Sequence, residues 1–190
     1  MGIPNIKDET KTIKRFKEEN MEFRTLNANE IECRVAQVFE GKGITLLLYK
    51  NARTDSSILD EEVGCECWQN RFYECKGNLY CSVGIKFGDE WVWKDDCGTE
   101  SFTEKEKGEA SDAFKRACFK WGIGKELYTA PLIYIKAEDI KKWYTNGNGK
   151  QTPKDRFRVK HIKTVNGKIE ELIIFNETAK TDCFVYGVRG

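Results

Sequence analysis

Lys115 and Arg116 stand side by side within TEKEKGEASDAFKRACFKWGIGKELY, residues 103–128, with Lys120 about one turn further on. Adjacent cations of this kind hold anionic groups by charge and hydrogen bonding, and break no bonds by themselves. A second set, Arg156, Arg158 and Lys160, alternates with Phe157, Val159 and His161. A strand here would carry basic side chains on one face and apolar ones on the other. Such a stripe suits phosphates; the competing reading is an edge strand protected by charge against aggregation. Groups able to do covalent chemistry are scarce. Gly122-x-Gly124-Lys125 lacks the spacing and terminal Ser or Thr of a phosphate-binding loop, and it ends a helix where such a loop must begin one. Asp89, Glu90 and Lys94 evoke a metal-dependent nuclease, but consecutive strand residues point to opposite faces, so the carboxylates do not converge. His161, the one histidine, has no visible nucleophile to serve.

The element that must position the basic pair is a helix. Ala110, Ala113, Phe114, Ala117, Cys118 and Trp121 recur at the spacing of a single apolar stripe, and Lys115, Arg116 and Lys120 fall outside it. Thr103 with Glu106 reads as a capping box, and Gly122 and Gly124 supply the stop. Small residues on the stripe let the helix lie close against the strand-rich segment before it. In the plainer reading Lys115 and Arg116 are a solvated face, Asp112 pairing with them at i+3 and i+4 for a few tenths of a kcal/mol.

Upstream, Ile31, Cys33 and Val35 alternate with charged residues, and the run from Ile44 to Tyr49 follows a Gly41-Lys42-Gly43 turn, which predicts a hairpin. Residues 55–63 predict a short helix stopped by Gly64. Three strands follow over residues 68–75, 79–87 and 90–97, separated by Gly77-Asn78 and Gly88-Asp89. Trp91 and Trp93 share one face of the last strand, explained best by core packing or subunit contact. Beyond Pro131 the spacing predicts a short helix over residues 137–144, a flexible loop over residues 146–149, and a hairpin over residues 156–175 turning at Asn166-Gly167.

The run Ser111-Asp112-x-x-Lys115-Arg116-Ala117, followed by aromatic residues and a glycine turn, resembles the signature helix of the Rad-fifty-two superfamily of single-strand annealing proteins, its bacteriophage members most closely. The likeness extends over residues 23–135, about sixty per cent of the chain, through Leu48-Tyr49-Lys50-Asn51-Ala52-Arg53 and Gly64-x-x-x-Trp68. It implies a single-stranded DNA groove lined by the basic residues of that helix and by the segment holding the tyrosine. Lys115, Arg116 and Tyr49 are thereby implicated, with Ser111 one turn away and Lys50 and Arg53 beside the tyrosine. The chain has Phe119 where the family often carries a further cation; Lys120 stands next to it, about 100° away around the helix. Arg53 matches with a one-residue shift. The resemblance implies a ring-forming homo-oligomer active in recombination and repair, with no enzymatic step and no cofactor or metal. A single-strand binding protein or an exonuclease would be a companion.

Composition sets bounds on this. The 190 residues hold thirty-two basic and thirty-one acidic side chains, which argues against coating nucleic acid by bulk charge. The charges are segregated: residues 88–112 carry a net minus six and residues 141–168 a net plus eight. An acidic region over residues 95–109 facing a basic region of a neighbouring subunit is therefore expected to drive assembly. Eight cysteines, five of them at Cys65, Cys67, Cys75, Cys81 and Cys97, lack zinc-knuckle spacing and read as free thiols, one structural zinc at the Cys65 end being the alternative. No apolar run approaches the roughly 20 residues of a membrane span and the first residues lack a secretory apolar stretch, so a soluble cytoplasmic protein is expected.

The expected fold is α+β: a β-hairpin and short helix, then a three-stranded antiparallel meander packed on a long helix, with a small C-terminal β-hairpin appendage. Residues 1–22 form a charged leader, residues 23–135 the annealing core and residues 136–190 the basic appendage. Two other functions remain open: a protein-interaction or inhibitor module on the same fold, and a metal-dependent nuclease.

Overall fold

The computed structural model describes residues 21–99, 105–145, 147, 149 and 151–188. Residues 1–20 of the charged leader, the Thr103 half of the capping box and Asn146 and Asn148 of the glycine-asparagine loop lie outside the described residues. The elements are β1 (Glu32–Phe39), β2 (Gly43–Tyr49), α1 (Ala52–Val63), β3 (Trp68–Cys75), β4 (Asn78–Phe87), β5 (Glu90–Cys97), α2 (Lys105–Trp121), β6 (Ile133–Lys136), β7 (Trp143–Thr145), β8 (Gln151–Pro153), β9 (Phe157–Val165), β10 (Lys168–Asn176) and β11 (Thr181–Tyr186). It is a mixed α and β protein of antiparallel strands with two α-helices among the described residues. No described helix is long and apolar enough to cross a membrane. The chain divides into two compact units, one holding Ala52–Ile123 with the described residues up to Arg24, the other Thr25–Asn51 with Gly124–Gly190.

In the first unit β3, β4 and β5 form a three-stranded antiparallel sheet in that order. The first turn falls one residue earlier than Gly77-Asn78: Cys75 pairs with Asn78, leaving Lys76 and Gly77 at φ 54° and 75°. Positive φ at both central residues matches the right-handed twist of the flanking strands. Along β4, Cys81, Val83 and Ile85 are buried, as are Ala113, Phe114, Ala117, Cys118 and Trp121 of α2. The indole of Trp121 donates to the Val83 carbonyl at 2.9 Å, and the Trp68 and Phe114 rings lie 6.0 Å apart. Gly98 is required where the chain leaves β5, because a Cβ there would lie 2.1 Å from the Glu109 carbonyl oxygen. Helix α1 buries Ile58, Leu59 and Val63, and Gly64 at φ 89° ends it.

In the second unit six strands form one antiparallel sheet in the order β11-β10-β9-β1-β2-β6. Ile44, Leu46, Ile133, Ile135, Val159, Leu172 and Ile174 supply its buried side chains. Gly43 must lack a side chain for β6 to pair, since a Cβ would lie 2.2 Å from the Ile135 carbonyl oxygen. The β9–β10 turn uses Asn166 and Gly167 at φ 50° and 72°, the geometry an Asn-Gly pair favours.

Two expectations need correcting. The C-terminal hairpin is not an appendage: β9 joins β1, Glu32 pairing with Arg158, so it shares a sheet with the N-terminal hairpin. The helix expected over residues 137–144 is a short 3-10 turn, Ala137–Asp139, followed by β7 paired with β8. The backbone N–H groups of Lys141 and Lys142 donate to the Asp155 carboxylate at 2.7 and 2.8 Å, which takes them from any helical ladder.

Candidate functional site

Five of the expected site residues belong to the first unit. Lys115, Arg116, Lys120 and Ser111 share α2, and Arg53 belongs to α1. Lys115 Nζ lies 3.7 Å from Asp112 Oδ1, Arg116 Nε 3.5 Å from Asp96 Oδ1, and Lys120 Nζ 3.6 Å from Asp96 Oδ2. Asp112 takes the Lys115 half of the local pairing, while a carboxylate of β5 takes Arg116. Asp112 also accepts from the Thr99 backbone N–H and hydroxyl at 3.2 and 3.1 Å, fixing the chain after β5 to the helix.

The three cation–carboxylate separations exceed ordinary charge-assisted hydrogen-bond lengths. At 29% to 49% side-chain exposure of the cations they are loose pairs, each worth about 0.2–1 kcal/mol. A phosphate can therefore replace either carboxylate at little cost. Arg53 and Ser111 line an open hollow of about 290 Å³ between α1, α2 and β3, walled by Trp68, Phe72 and Phe114. Aromatic walls beside an arginine and a hydroxyl fit a sugar or a base better than a bare ion.

The other five belong to the second unit. The Tyr49 hydroxyl donates to Glu32 Oε2 at 2.5 Å, and Asn51 Nδ2 donates to Glu32 Oε1 at 3.0 Å. Arg34 sits 5.8 Å from the Tyr49 ring centroid. The hydrogen bond to Glu32, aided by burial, pushes the Tyr49 phenol up to about 12. Because the folded state holds this proton more tightly, the bond contributes fully to stability below about pH 10, the ordinary tyrosine value. That contribution is lost as pH rises through about 12. Glu32→Gln is expected to bring the Tyr49 titration down toward its ordinary value, read by NMR of labelled tyrosine; an unmoved titration would assign the shift to burial instead.

Lys50 is buried rather than exposed: the residue is 7% exposed, and its stem fills the space at Gly124, where a Cβ would lie 2.5 Å from Lys50 Cε. Packing of the methylene stem withdraws this cation from an approaching strand. Arg158 and Lys160 are exposed but matched: Arg158 Nε lies 3.5 Å from Glu177 Oε1, and Lys160 Nζ donates to both Asp182 oxygens at 2.9 and 2.8 Å. Arg156 is exposed, its backbone N–H donating to the Thr178 hydroxyl at 3.1 Å. The stripe is thus fastened to the residues that flank it across the sheet. β9 lies between β10 and β1 but meets β1 at the single Glu32–Arg158 pair, so edge protection is excluded at Arg158 and stays open for Lys160. Tyr49 and Arg158 both pair with Glu32 across β1 and so share a row.

None of the eight cysteines forms a disulfide. Burial pushes the Cys33 and Cys183 thiols up to about 12 and Cys81 up to about 11, so these are weak ligands and nucleophiles at neutral pH. No group of three or more His, Cys, Asp or Glu side chains among the described residues could hold a metal ion. The Lys94 ammonium donates to the Lys120 carbonyl at 3.0 Å and lies 4.2 Å from the Trp121 ring centroid.

The sequence reading leaves Arg71 unassigned, although its guanidinium lies 4.1 Å from the Trp93 ring centroid. The signal available was Gly84, which stands opposite Trp93 in the β4–β5 register and leaves room for an indole to lie flat. No protein-family model matches the chain, and no curated protein matches it.

Proposed function

We propose that this chain binds single-stranded DNA and promotes the pairing of complementary strands, holding the backbone with Lys115 and Arg116. The observation that carries the reading is their neighbourhood. The helix that bears the two loosely paired cations also contributes Ser111 and Phe114 to an open hollow containing Arg53 and aromatic walls. Cations for phosphate beside aromatic surface for sugar and base are the two components of single-strand recognition.

Annealing needs no external energy, because the base steps gained on pairing release the free energy that drives it. The protein's task is to neutralise phosphate repulsion while leaving base edges open. The low net charge makes a single patch weak, so assembly of many copies along the strand is part of the proposal. The ring form and the acidic-to-basic subunit pairing rest on the sequence resemblance and on charge segregation.

The test is fluorescence-polarisation binding to labelled oligo-dT across a salt series, for the wild type and a Lys115→Ala/Arg116→Ala variant. Each single-strand phosphate contact contributes about 0.7 to the log–log salt slope. The double variant should therefore bind roughly tenfold more weakly at low salt, with a slope smaller by about 1.4. Equal affinity and equal slope would remove the pair from the interface, and absence of wild-type binding at low salt would favour a protein-interaction module.

A further inference from the structure

We infer that the face of the β3–β5 sheet opposite α2 is a second single-strand contact, a platform on which nucleobases stack. Alternation along the strands sends Trp91 and Trp93 of β5 to this face, away from Lys94 and Asp96, which meet residues of the helix. The two indoles lie 5.9 Å apart at an interplanar angle of 30°. Trp93 lies on Gly84 of the middle strand, where a Cβ would come within 2.7 Å of the ring. The Arg71 guanidinium lies 4.1 Å from the Trp93 ring centroid, so a planar cation and two indoles share this face of the sheet. Lys86 stands directly across from Trp91.

What separates these cations from the others is their pairing. Arg116, Lys120, Arg158 and Lys160 each face a carboxylate. Arg71 and Lys86 are exposed, and neither forms an ion pair among the described residues. The acidic residue of this face, Asp95, lies at the end away from Trp91, bonded to the Ser82 hydroxyl and to Tyr73.

A guanidinium and an ammonium with no carboxylate partner among the described residues, beside two indoles, complement a ligand with both phosphates and aromatic rings. That ligand is a single strand, since bases within a duplex have no free π-face to offer. Stacking leaves the base edges exposed, as pairing with a second strand requires. The inference rests on the single-strand reading above and adds to it a face that the α2 cations do not share.

The experiment compares wild type, Trp91→Ala, Arg71→Ala and Lys115→Ala/Arg116→Ala for binding to oligo-dT and to an abasic oligomer of the same length, with sedimentation velocity on each sample. Trp91 is half-buried and Arg71 exposed, so both single variants should fold, as a circular dichroism spectrum will report. The wild type is expected to prefer oligo-dT over the abasic strand about tenfold, one well-stacked base being enough for that. Trp91→Ala and Arg71→Ala should lose most of this preference, whereas the Lys115/Arg116 variant should bind both strands more weakly and keep it. Equal wild-type binding to the two strands, or an unchanged preference in Trp91→Ala, overturns the platform and leaves the α2 contact standing. A change of assembly size in Trp91→Ala also overturns it, by making this face a contact between copies. If wild type binds neither strand, both proposals fall.

Discussion

Asp155→Ala is expected to destabilise the protein by about 3–5 kcal/mol, the largest single-residue effect anticipated from a polar side chain here. Asp155 is 9% exposed, and its carboxylate accepts from the Lys141 and Lys142 backbone N–H groups at 2.7 and 2.8 Å and from Asn176 Nδ2 at 2.6 Å. Asn176 is fully buried; its Nδ2 also donates to the Asp139 carbonyl at 3.0 Å, and its Oδ1 accepts from the Thr178 and Ala179 N–H groups at 3.0 and 3.1 Å. The carboxylate therefore ties together the turn before β7, the approach to β9 and the end of β10. Its loss removes the acceptor of two part-buried backbone N–H groups and one of the two acceptors of Asn176 Nδ2, and each buried donor left unmade costs about 1–3 kcal/mol. Urea unfolding followed by circular dichroism measures the loss. A change below about 1 kcal/mol would mean that water replaces the carboxylate at all three donors, and the network would not be structural.

Trp121→Ala should cost a similar amount, about 3–5 kcal/mol, for a different reason. Trp121 is 9% exposed at the end of α2, and its ring stacks on Phe87 at 6.1 Å and 24°. Lys94 covers it at 4.2 Å, and its N–H satisfies the Val83 carbonyl in the middle of the sheet. Truncation removes the apolar contact, opens a cavity and leaves a carbonyl without that donor. Trp121→Phe separates the contributions: it restores most of the ring and should recover all but about 1–2 kcal/mol, the share of the hydrogen bond. If the Phe and Ala variants lose equal stability, the ring contact is not what holds the end of this helix.

The β3–β5 meander was legible because each strand pair is closed by local turn chemistry, and the α2 stripe because Ala113, Phe114, Ala117, Cys118 and Trp121 recur at helical spacing and are buried. What the sequence did not disclose is partner choice between segments far apart. Nothing near Glu32 or Arg158 announces that β1 and β9 pair, since the register is set by a turn in neither case. β6 was missed because it is four residues long with no adjacent turn partner, and β11 because the turn that joins it to β10, residues 177–180, holds neither Gly nor Pro.

Ala137, Ile140 and Tyr144 mimic a helical stripe, but side-chain capture of two backbone donors by Asp155, thirteen and fourteen residues away, decides the local structure. For the candidate site, residue types were readable and side-chain fates were not. Lys50 and Arg116 look alike in the sequence, yet one is packed at Gly124 and the other remains exposed beside Asp96. Arg71 escaped notice because its role comes from an indole two strands away.

The most direct measurement of the proposed function is the rate at which two complementary labelled oligonucleotides anneal, followed by energy transfer, with and without the protein and without nucleotide cofactor. The proposal predicts a protein-dependent acceleration that falls with added salt and is strongly reduced in Lys115→Ala/Arg116→Ala at equal assembly size. A well-folded, oligo-binding wild type that leaves the annealing rate at its protein-free value would contradict it.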